Sequence, residues 1–264
     1  MPSTGGAITE LYSCRKQTIG ELLCKREPPI EVPEWQRGFS WDSVEVECFW
    51  LDLLAFANRH EGASLDRQEY YFGPVVLALQ PRLRILLDGQ HRLALAVILL
   101  SVIRDFISRY NPDAAAALQD DYIKSVDSQT GEATYRLTLS RVDRDFFRSE
   151  VQDADRAARR QDEPQIESHQ LIWKARNRLS DRFEKQWDFR GCGAQAYYWA
   201  QRILDVLINR LTVRVSASPW TPSMRLPTSR FPQGQPREPQ TAASDESKRT
   251  VFTSDGSLST TDDS

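Results

Sequence analysis

Apolar positions are densest in the middle of the chain, where residues 93–100 include no charged side chain. They belong to a helical pattern over residues 90–109 that is apolar nearly all round, which predicts a helix buried at the centre of the core. Two β-rich segments, residues 70–79 and 83–87, precede it, and the Pro81 turn between them predicts an antiparallel hairpin. Eight apolar residues are too few to span a bilayer, so we expect no membrane partner.

The rest of the pattern predicts an α+β fold with a small sheet and a helix-rich C-terminal half. Thr18 and Glu21 have the spacing of a capping box, in which two side chains each accept a hydrogen bond from a backbone amide. Asp42 or Ser40 is placed to cap the next helix. The remaining predicted elements are helices over residues 19–25, 43–58, 168–186 and 194–211, strands over residues 134–139 and 211–215, and a solvated charged segment over residues 150–165.

Composition divides the chain in two. The last 49 residues, 216–264, contain 10 Ser, 7 Thr and 6 Pro, and their few large apolar residues follow no helical or strand period. Such a segment buries too little surface to offset its chain entropy. The sequence therefore predicts a folded domain over residues 1–215 and a disordered tail over residues 216–264.

Charge and cysteine content exclude several functions. The net charge of -3 excludes a general polycation, so any contact with nucleic acid has to come from a local basic site. The four cysteines are widely spaced without a CxxC pair, and the three histidines are far apart, which is a poor set of metal ligands. Reduced thiols and an N-terminus unlike a signal peptide predict a cytoplasmic protein.

The junction between the second hairpin strand and the central helix is the first candidate site. Gly89 permits a tight turn after Asp88, and the free amides of the following helix turn favour an anion such as phosphate. Arg92 adds a bidentate donor, Gln90 adds neutral hydrogen bonds, and His91 could transfer a proton near neutral pH. The alternative is structural: Asp88 caps the helix and Arg92 pairs with a surface acid.

A second candidate is the loop over residues 35–41, in which Trp35, Phe39 and Trp41 surround Gln36 and Arg37. Rings beside a cation suit the lining of a ligand pocket, and aromatic rings can also stack on bases. In the alternative, the rings fill the core and Arg37 lies on the surface. The chain contains no P-loop, dinucleotide-binding, hydrolase-elbow or HExxH motif.

A third cluster holds four arginines between residues 134 and 150, interleaved with acids. Asp143 is one of the acids that largely neutralise it. The sequence favours a solvated face here over a DNA-binding stripe. The four arginines are Arg136, Arg141, Arg144 and Arg148.

Three segments in order resemble the N-terminal domain of the GmrSD-type restriction endonucleases. Residues 32–41, VPEWQRGFSW, correspond to the family pattern I-P-x-Y-Q-R-x-Y-x-W. Residues 71–77, YFGPVVL, correspond to F-L-G-x-I-V-L. Residues 87–96, LDGQHRLALA, stand beside I-D-G-Q-Q-R-L-T-T-L. The resemblance covers roughly residues 15–215. His91 replaces the usual second Gln, as in related D-G-Q-H-R proteins, and Phe39 lacks the usual tyrosine hydroxyl.

The resemblance implies a ParB/sulfiredoxin-like core with a small mixed sheet that binds and hydrolyses a nucleoside triphosphate with Mg²⁺. It also implies that this step is coupled to restriction of phage DNA carrying modifications. In this interpretation Trp35, Gln36, Arg37, Gly89 and Arg92 bind the nucleotide and Asp88 holds the metal. The residues assigned to catalysis are Asp88, Gln90, His91 and Arg92.

The resemblance also shows what the sequence lacks. The F-E-x-x-N and R-G elements that relatives carry after the last strand, and the HNH nuclease domain of many of them, are absent, so a separately encoded nuclease is an implied partner. Three hypotheses stay open: an NTP-hydrolysing regulatory domain, a binding module for DNA or a partner without catalysis, and an inactive truncated or frameshifted fragment. In the last case the central helix is expected to expose apolar surface.

Overall fold

The order of helices and strands is that of an α+β protein. A computed structural model describes residues 13–59, 68–154, 164–188 and 193–221. The strands are β1 (Ser13–Thr18), β2 (Ile30–Glu31), β3 (Tyr70–Gln80), β4 (Leu83–Asp88), β5 (Lys124–Val126), β6 (Ala133–Tyr135), β7 (Leu137–Thr138) and β8 (Leu211–Pro219). The helices are α1 (Ile19–Leu23), α2 (Ser43–Arg59), α3 (Gln90–Ile107), α4 (Pro112–Tyr122), α5 (Arg144–Phe147), α6 (Glu167–Asp188) and α7 (Gly193–Asp205). Two π-helical turns, Arg148–Gln152 and Val206–Arg210, continue α5 and α7.

Six strands form one mixed sheet in the order β1-β8-β3-β4-β2-β7. The hairpin predicted from the sequence is confirmed, since β3 and β4 pair antiparallel. Strand β8 lies parallel to β3 and antiparallel to β1, and β2 lies parallel to both β4 and β7. Parallel neighbours need crossover connections, which the helices between them supply. Strands β5 and β6 form a separate pair.

Helix α3 lies at the centre of the core, as its pattern predicts. Its residues from Leu93 to Ile103 are all buried, and Phe106 and Ile107 are buried near its end. Helices α4, α6 and α7 all pack against it. The expectation that a fragment would leave apolar surface exposed on this helix is therefore not met. None of the helices in the described ranges is long and apolar enough to cross a membrane.

The capping box at the start of α1 is confirmed. The Glu21 amide donates to Thr18 Oγ1 over 3.1 Å, and the Thr18 amide donates to Glu21 Oε2 over 2.8 Å. At α2 the cap is Asp42, whose Oδ1 accepts from the Val44 amide over 2.6 Å.

The strand predicted over residues 134–139 is two strands in different sheets. They separate at Arg136, whose side chain is buried and donates to the carbonyls of Leu23 and Glu27. The expectation of a solvated arginine face is therefore wrong for Arg136. Backbone carbonyls at the end of α1 and just after it accept hydrogen bonds from its guanidinium in the interior.

Helix α4 was not predicted. Asn111 and Pro112 were expected to end α3, but that helix ends earlier, at Ile107. They begin α4 instead: Asn111 Oδ1 accepts from the Ala114 amide over 3.0 Å and Pro112 occupies the first helical position. Proline fits that position because the amide it lacks would have no partner within the helix.

The final strand is longer than predicted. Strand β8 continues past Val215 to Pro219, pairing with β1 and β3 on its two sides. The predicted boundary at residue 215 therefore falls inside a strand. Residues 222–264 of the predicted tail, and residues 155–163 of the predicted charged segment, lie outside the described residues.

Candidate functional site

The turn between β4 and α3 has the geometry expected of an anion site. Gly89 is the N-cap of α3 and has φ +98°, a left-handed conformation that favours glycine. A Cβ at this position would lie 3.0 Å from Val75 Cγ2, so close packing on β3 also excludes a side chain. The amides of Gln90, His91 and Arg92 donate to no described residue and lie at the positive end of the helix.

The loop after β2 is bound to this turn by three side chains. Gln36 Nε2 donates to the Leu87 carbonyl over 2.8 Å, and Gln90 Nε2 donates to the Arg37 carbonyl over 3.0 Å. Ser40 Oγ lies 3.2 Å from His91 Nε2. The structure therefore brings together the two motifs, which the sequence separates by about 50 residues.

Two charged side chains at this junction are exposed. Neither the Arg37 guanidinium nor the Asp88 carboxylate makes a hydrogen bond or ion pair with a described residue. Both influence the titration of His91, so a cation and an anion flank the first turn of α3. Groups left without protein partners in this way are available to a ligand.

Arg92 is held against the sheet. Its Nη1 donates to the Pro74 carbonyl over 3.2 Å, and its Nε lies where a side chain at Gly73 would begin. The structural alternative for the turn is wrong in both parts: no Asp88 side chain caps α3, and Arg92 bonds a carbonyl rather than a surface acid.

His91 lies between the rings of Phe39, 5.4 Å away in an edge arrangement, and Trp41, 6.0 Å away. Burial, together with the neighbouring charges of Arg37 and Arg92, lowers the pKa of His91 to about 4. Its imidazole is therefore neutral at pH 7, which argues against proton transfer by His91 near neutral pH. Its Nδ1 is buried and has no described hydrogen-bond partner.

The aromatic loop combines features of both interpretations drawn from the sequence. Phe39 is buried in the core and Trp41 packs against it, while Arg37 lies on the surface. Trp35 is exposed and stacks on Trp220, with ring centroids 6.3 Å apart. The partner of Trp35 thus comes from the chain just beyond β8.

Sequence reasoning missed the role of Asp143. It is buried rather than solvated, and its carboxylate accepts from the Phe39 amide over 2.7 Å and from Ser168 Oγ over 2.5 Å. A narrow cleft between Asp143, His91 and Gln90 has a cavity volume of about 0 Å³, so it has no room for a water molecule. That is smaller than a ligand pocket of roughly 300–1,000 Å³. The only sequence signal was an acid among the four arginines between residues 134 and 150.

The metal prediction rests on Asp88 alone. Among the described residues, no group of three or more His, Cys, Asp or Glu side chains could hold a metal ion. Mg²⁺ commonly binds through one or two carboxylates together with water and substrate phosphates. The donor set therefore fits a metal that arrives with a triphosphate, and it does not fit an independent metal centre.

Comparison with known families finds a match over most of the chain. The family model of the GmrSD restriction endonuclease N-terminal domain matches residues 19–221, which include every strand of the main sheet except β1. The chain belongs to this GmrSD N-terminal family. Membership suggests a part in a restriction system. No curated protein matches the chain. Both site motifs, and Trp220 with them, lie inside the matched GmrSD region.

Proposed function

We propose that this GmrSD N-terminal domain binds a nucleoside triphosphate with Mg²⁺ at the start of α3 and hydrolyses it as the regulatory step of modification-dependent restriction. The supporting observation is that Arg37 and Asp88 lie exposed, without described partners, beside the unpaired amides of α3. A triphosphate provides anionic oxygens for the amides and the cation, and its metal provides a charge for the carboxylate.

Each side chain at the site has a separate part in this proposal. Arg37 binds phosphate oxygens, and Asp88 holds the metal or a water on it. Arg92 is fixed by the Pro74 carbonyl, so it presents its remaining guanidinium donors in one orientation. The bound metal supplies charge neutralisation for the phosphates. Gln36 and Gln90 hold the loop and the turn at a fixed separation.

The test is Mg²⁺-dependent turnover of ATP and of GTP by the purified chain. Arg37→Ala and Asp88→Asn leave the described hydrogen bonds intact, and each is expected to lower turnover about tenfold or more, since each removes a charge-assisted contact. Arg82→Ala, an exposed arginine in the β3–β4 turn, and Asp145→Asn, an exposed acid of α5, are the matched controls. Turnover that is absent, or equal in all four variants, contradicts hydrolysis at this site.

A binding module without catalysis is the second candidate, because burial between the rings of Phe39 and Trp41 lowers the pKa of His91, and this residue then supplies no general acid near neutral pH. Isothermal titration separates the two functions. Nucleotide binding that Arg37→Ala weakens, without product formation, supports the module. Turnover by the unmodified chain contradicts it.

Coupling to DNA and to a separate HNH nuclease is the part of the proposal that rests on family resemblance. We expect DNA carrying modified bases or backbones to change the turnover rate, and unmodified DNA of the same sequence to leave it unchanged. Equal rates with both DNAs would contradict the coupling.

A further inference from the structure

The Asp143 carboxylate accepts a hydrogen bond from a distant loop and does not cap its own helix. It is the residue immediately before α5, where an aspartate commonly caps the helix, yet its side chain makes no capping bond. Both carboxylate oxygens are used elsewhere: Oδ2 accepts from the Phe39 amide and Oδ1 from Ser168 Oγ. Phe39 is 104 residues away in sequence.

We propose that Asp143 is a positioning residue for the candidate site: with Ser168, it holds the loop over residues 36–40 against α3 and so sets where Arg37 is presented. The proposal rests on the proposed function, since it assigns to Asp143 the placement of a nucleotide-binding cation.

The loop is fixed by two groups of hydrogen bonds. In the first group, Gln36 and Ser40 reach β4 and α3, and the Arg37 carbonyl accepts from Gln90. In the second group, the only described hydrogen bond is that from the Phe39 amide to Asp143. Removing the Asp143 carboxylate therefore leaves the Phe39 amide without its hydrogen bond in the interior, which favours a displacement of the loop.

The contact of the loop with Asp143 also depends on close packing at Gly38. A Cβ at Gly38 would lie 2.9 Å from Ser168 Cβ and 3.2 Å from Asp143 Oδ2. A side chain fits there only if the loop or Ser168 moves, and either movement disturbs the contacts of Asp143. Gly38 thus lets the backbone approach the carboxylate closely enough for the Phe39 amide to reach it.

The charge of Asp143 is costly to bury. The carboxylate is 1% exposed, and no Lys or Arg nitrogen of the described residues lies within ion-pair distance of it. His169 Nε2 is 3.8 Å from Oδ1. A buried carboxylate is stabilised by the hydrogen bonds that it accepts. Here one donor, the Phe39 amide, belongs to the loop that carries Arg37, and the other, Ser168 Oγ, belongs to α6.

The main experiment compares Asp143→Ala and Asp143→Asn with the control Asp145→Ala, in the full chain. The readouts are the imidazole NMR signals of His91, the Kd for ATP with Mg²⁺, and the melting temperature. The chain has three histidines, so loss of one set of signals in His91→Gln assigns them. His91 and Asp143 line the same cleft, so the two substitutions are compared: Asp143→Asn removes the charge and keeps the hydrogen bonds, and a change of the His91 signals in Asp143→Ala alone therefore reports the loop.

We expect Asp143→Ala to shift the His91 signals and to raise the Kd about tenfold. Asp143→Asn is expected to restore most of both, because its amide oxygen can accept from Phe39 while its nitrogen donates to Ser168 Oγ. Asp145→Ala is expected to change neither. A lower melting temperature in Asp143→Ala, with His91 signals and Kd as in the unmodified chain, would overturn the proposal.

Gly38→Ala provides a test that leaves the carboxylate in place and serves if Asp143→Ala does not fold. We expect it to shift the His91 signals in the same way, and unchanged signals would overturn the proposal. If the unmodified chain binds neither ATP nor GTP, the proposed function fails, and the His91 signals alone then decide whether Asp143 positions the loop.

Discussion

At the scale of single residues, the site is defined by which polar groups have protein partners. Gln36, Gln90 and Arg92 were predicted to face a ligand, but in the structure each donates to a backbone carbonyl. The charged groups of Arg37 and Asp88 make no hydrogen bond or ion pair with a described residue. The residue types were readable from the motifs. The motifs did not show which of these side chains bond to the protein and which are available to a ligand, because that depends on backbone carbonyls of β3, β4 and the loop.

His91 makes stability depend on pH. Its pKa is about 4 in the folded chain and about 6.5 in the unfolded chain, so the unfolded state takes up the proton first as pH falls. The stability contributed by neutral His91 is present above about pH 6.5 and is lost as pH falls towards about 4. We expect the urea midpoint of the unmodified chain to fall more between about pH 7 and about pH 5 than that of His91→Gln.

Glutamine is the control because it occupies this position in the family pattern and does not titrate. Other titrating groups act equally in both proteins and cancel in the comparison. Equal falls in the two urea midpoints would show that His91 titrates normally in the folded chain.

At the scale of elements, the caps are the local features that sequence describes best. Thr18 and Glu21 were recognised because both partners of a capping box lie four positions apart or closer. Asn111 has an equally local cap at α4, but Asn-Pro was interpreted only as the end of α3. The four consecutive alanines after Asp113 have strong helix propensity and support a new helix.

Asn111→Ala is expected to destabilise the chain by about 1 kcal/mol through loss of the α4 cap. Its Nδ2 also donates to Tyr197 Oη over 3.1 Å, so Tyr197→Phe serves as the control that removes this second contact, together with the bond from the exposed Gln201 Nε2 to the same hydroxyl. Urea unfolding of both variants measures the difference. If Tyr197→Phe costs as much as Asn111→Ala, the cap contributes nothing.

At the scale of the whole molecule, β8 lies between the edge strand β1 and β3. Strand β3 in turn pairs with β4, the strand that leads into the site. Residues 216–219 pair with β1 at Ser13 and Cys14 and with β3 from Val76 to Leu79. A backbone hydrogen bond contributes about 1 kcal/mol net, so these pairs together contribute a substantial part of an ordinary domain stability.

A chain ending at Val215 is therefore expected to be markedly less stable than one ending at Thr221. The shorter chain also loses Trp220, which stacks on Trp35 and whose amide donates to the Leu79 carbonyl. Thermal unfolding of the two chains measures the difference. Equal melting temperatures would support the boundary at residue 215 that composition predicts.

The sequence by itself determined the α+β class, the buried central helix, the hairpin before it and the two site motifs, because these follow from local periodicity, turn residues and short-range caps. Only the tertiary structure decided the sheet order, the continuation of β8 to Pro219 and the burial of Arg136 and Asp143. Strand pairing and the hydrogen bonds of buried charges join residues that are distant in sequence, so no local pattern encodes them. Asp143 shows the difference: beside α5 it resembles a helix cap, and in the fold it holds a loop 104 residues away.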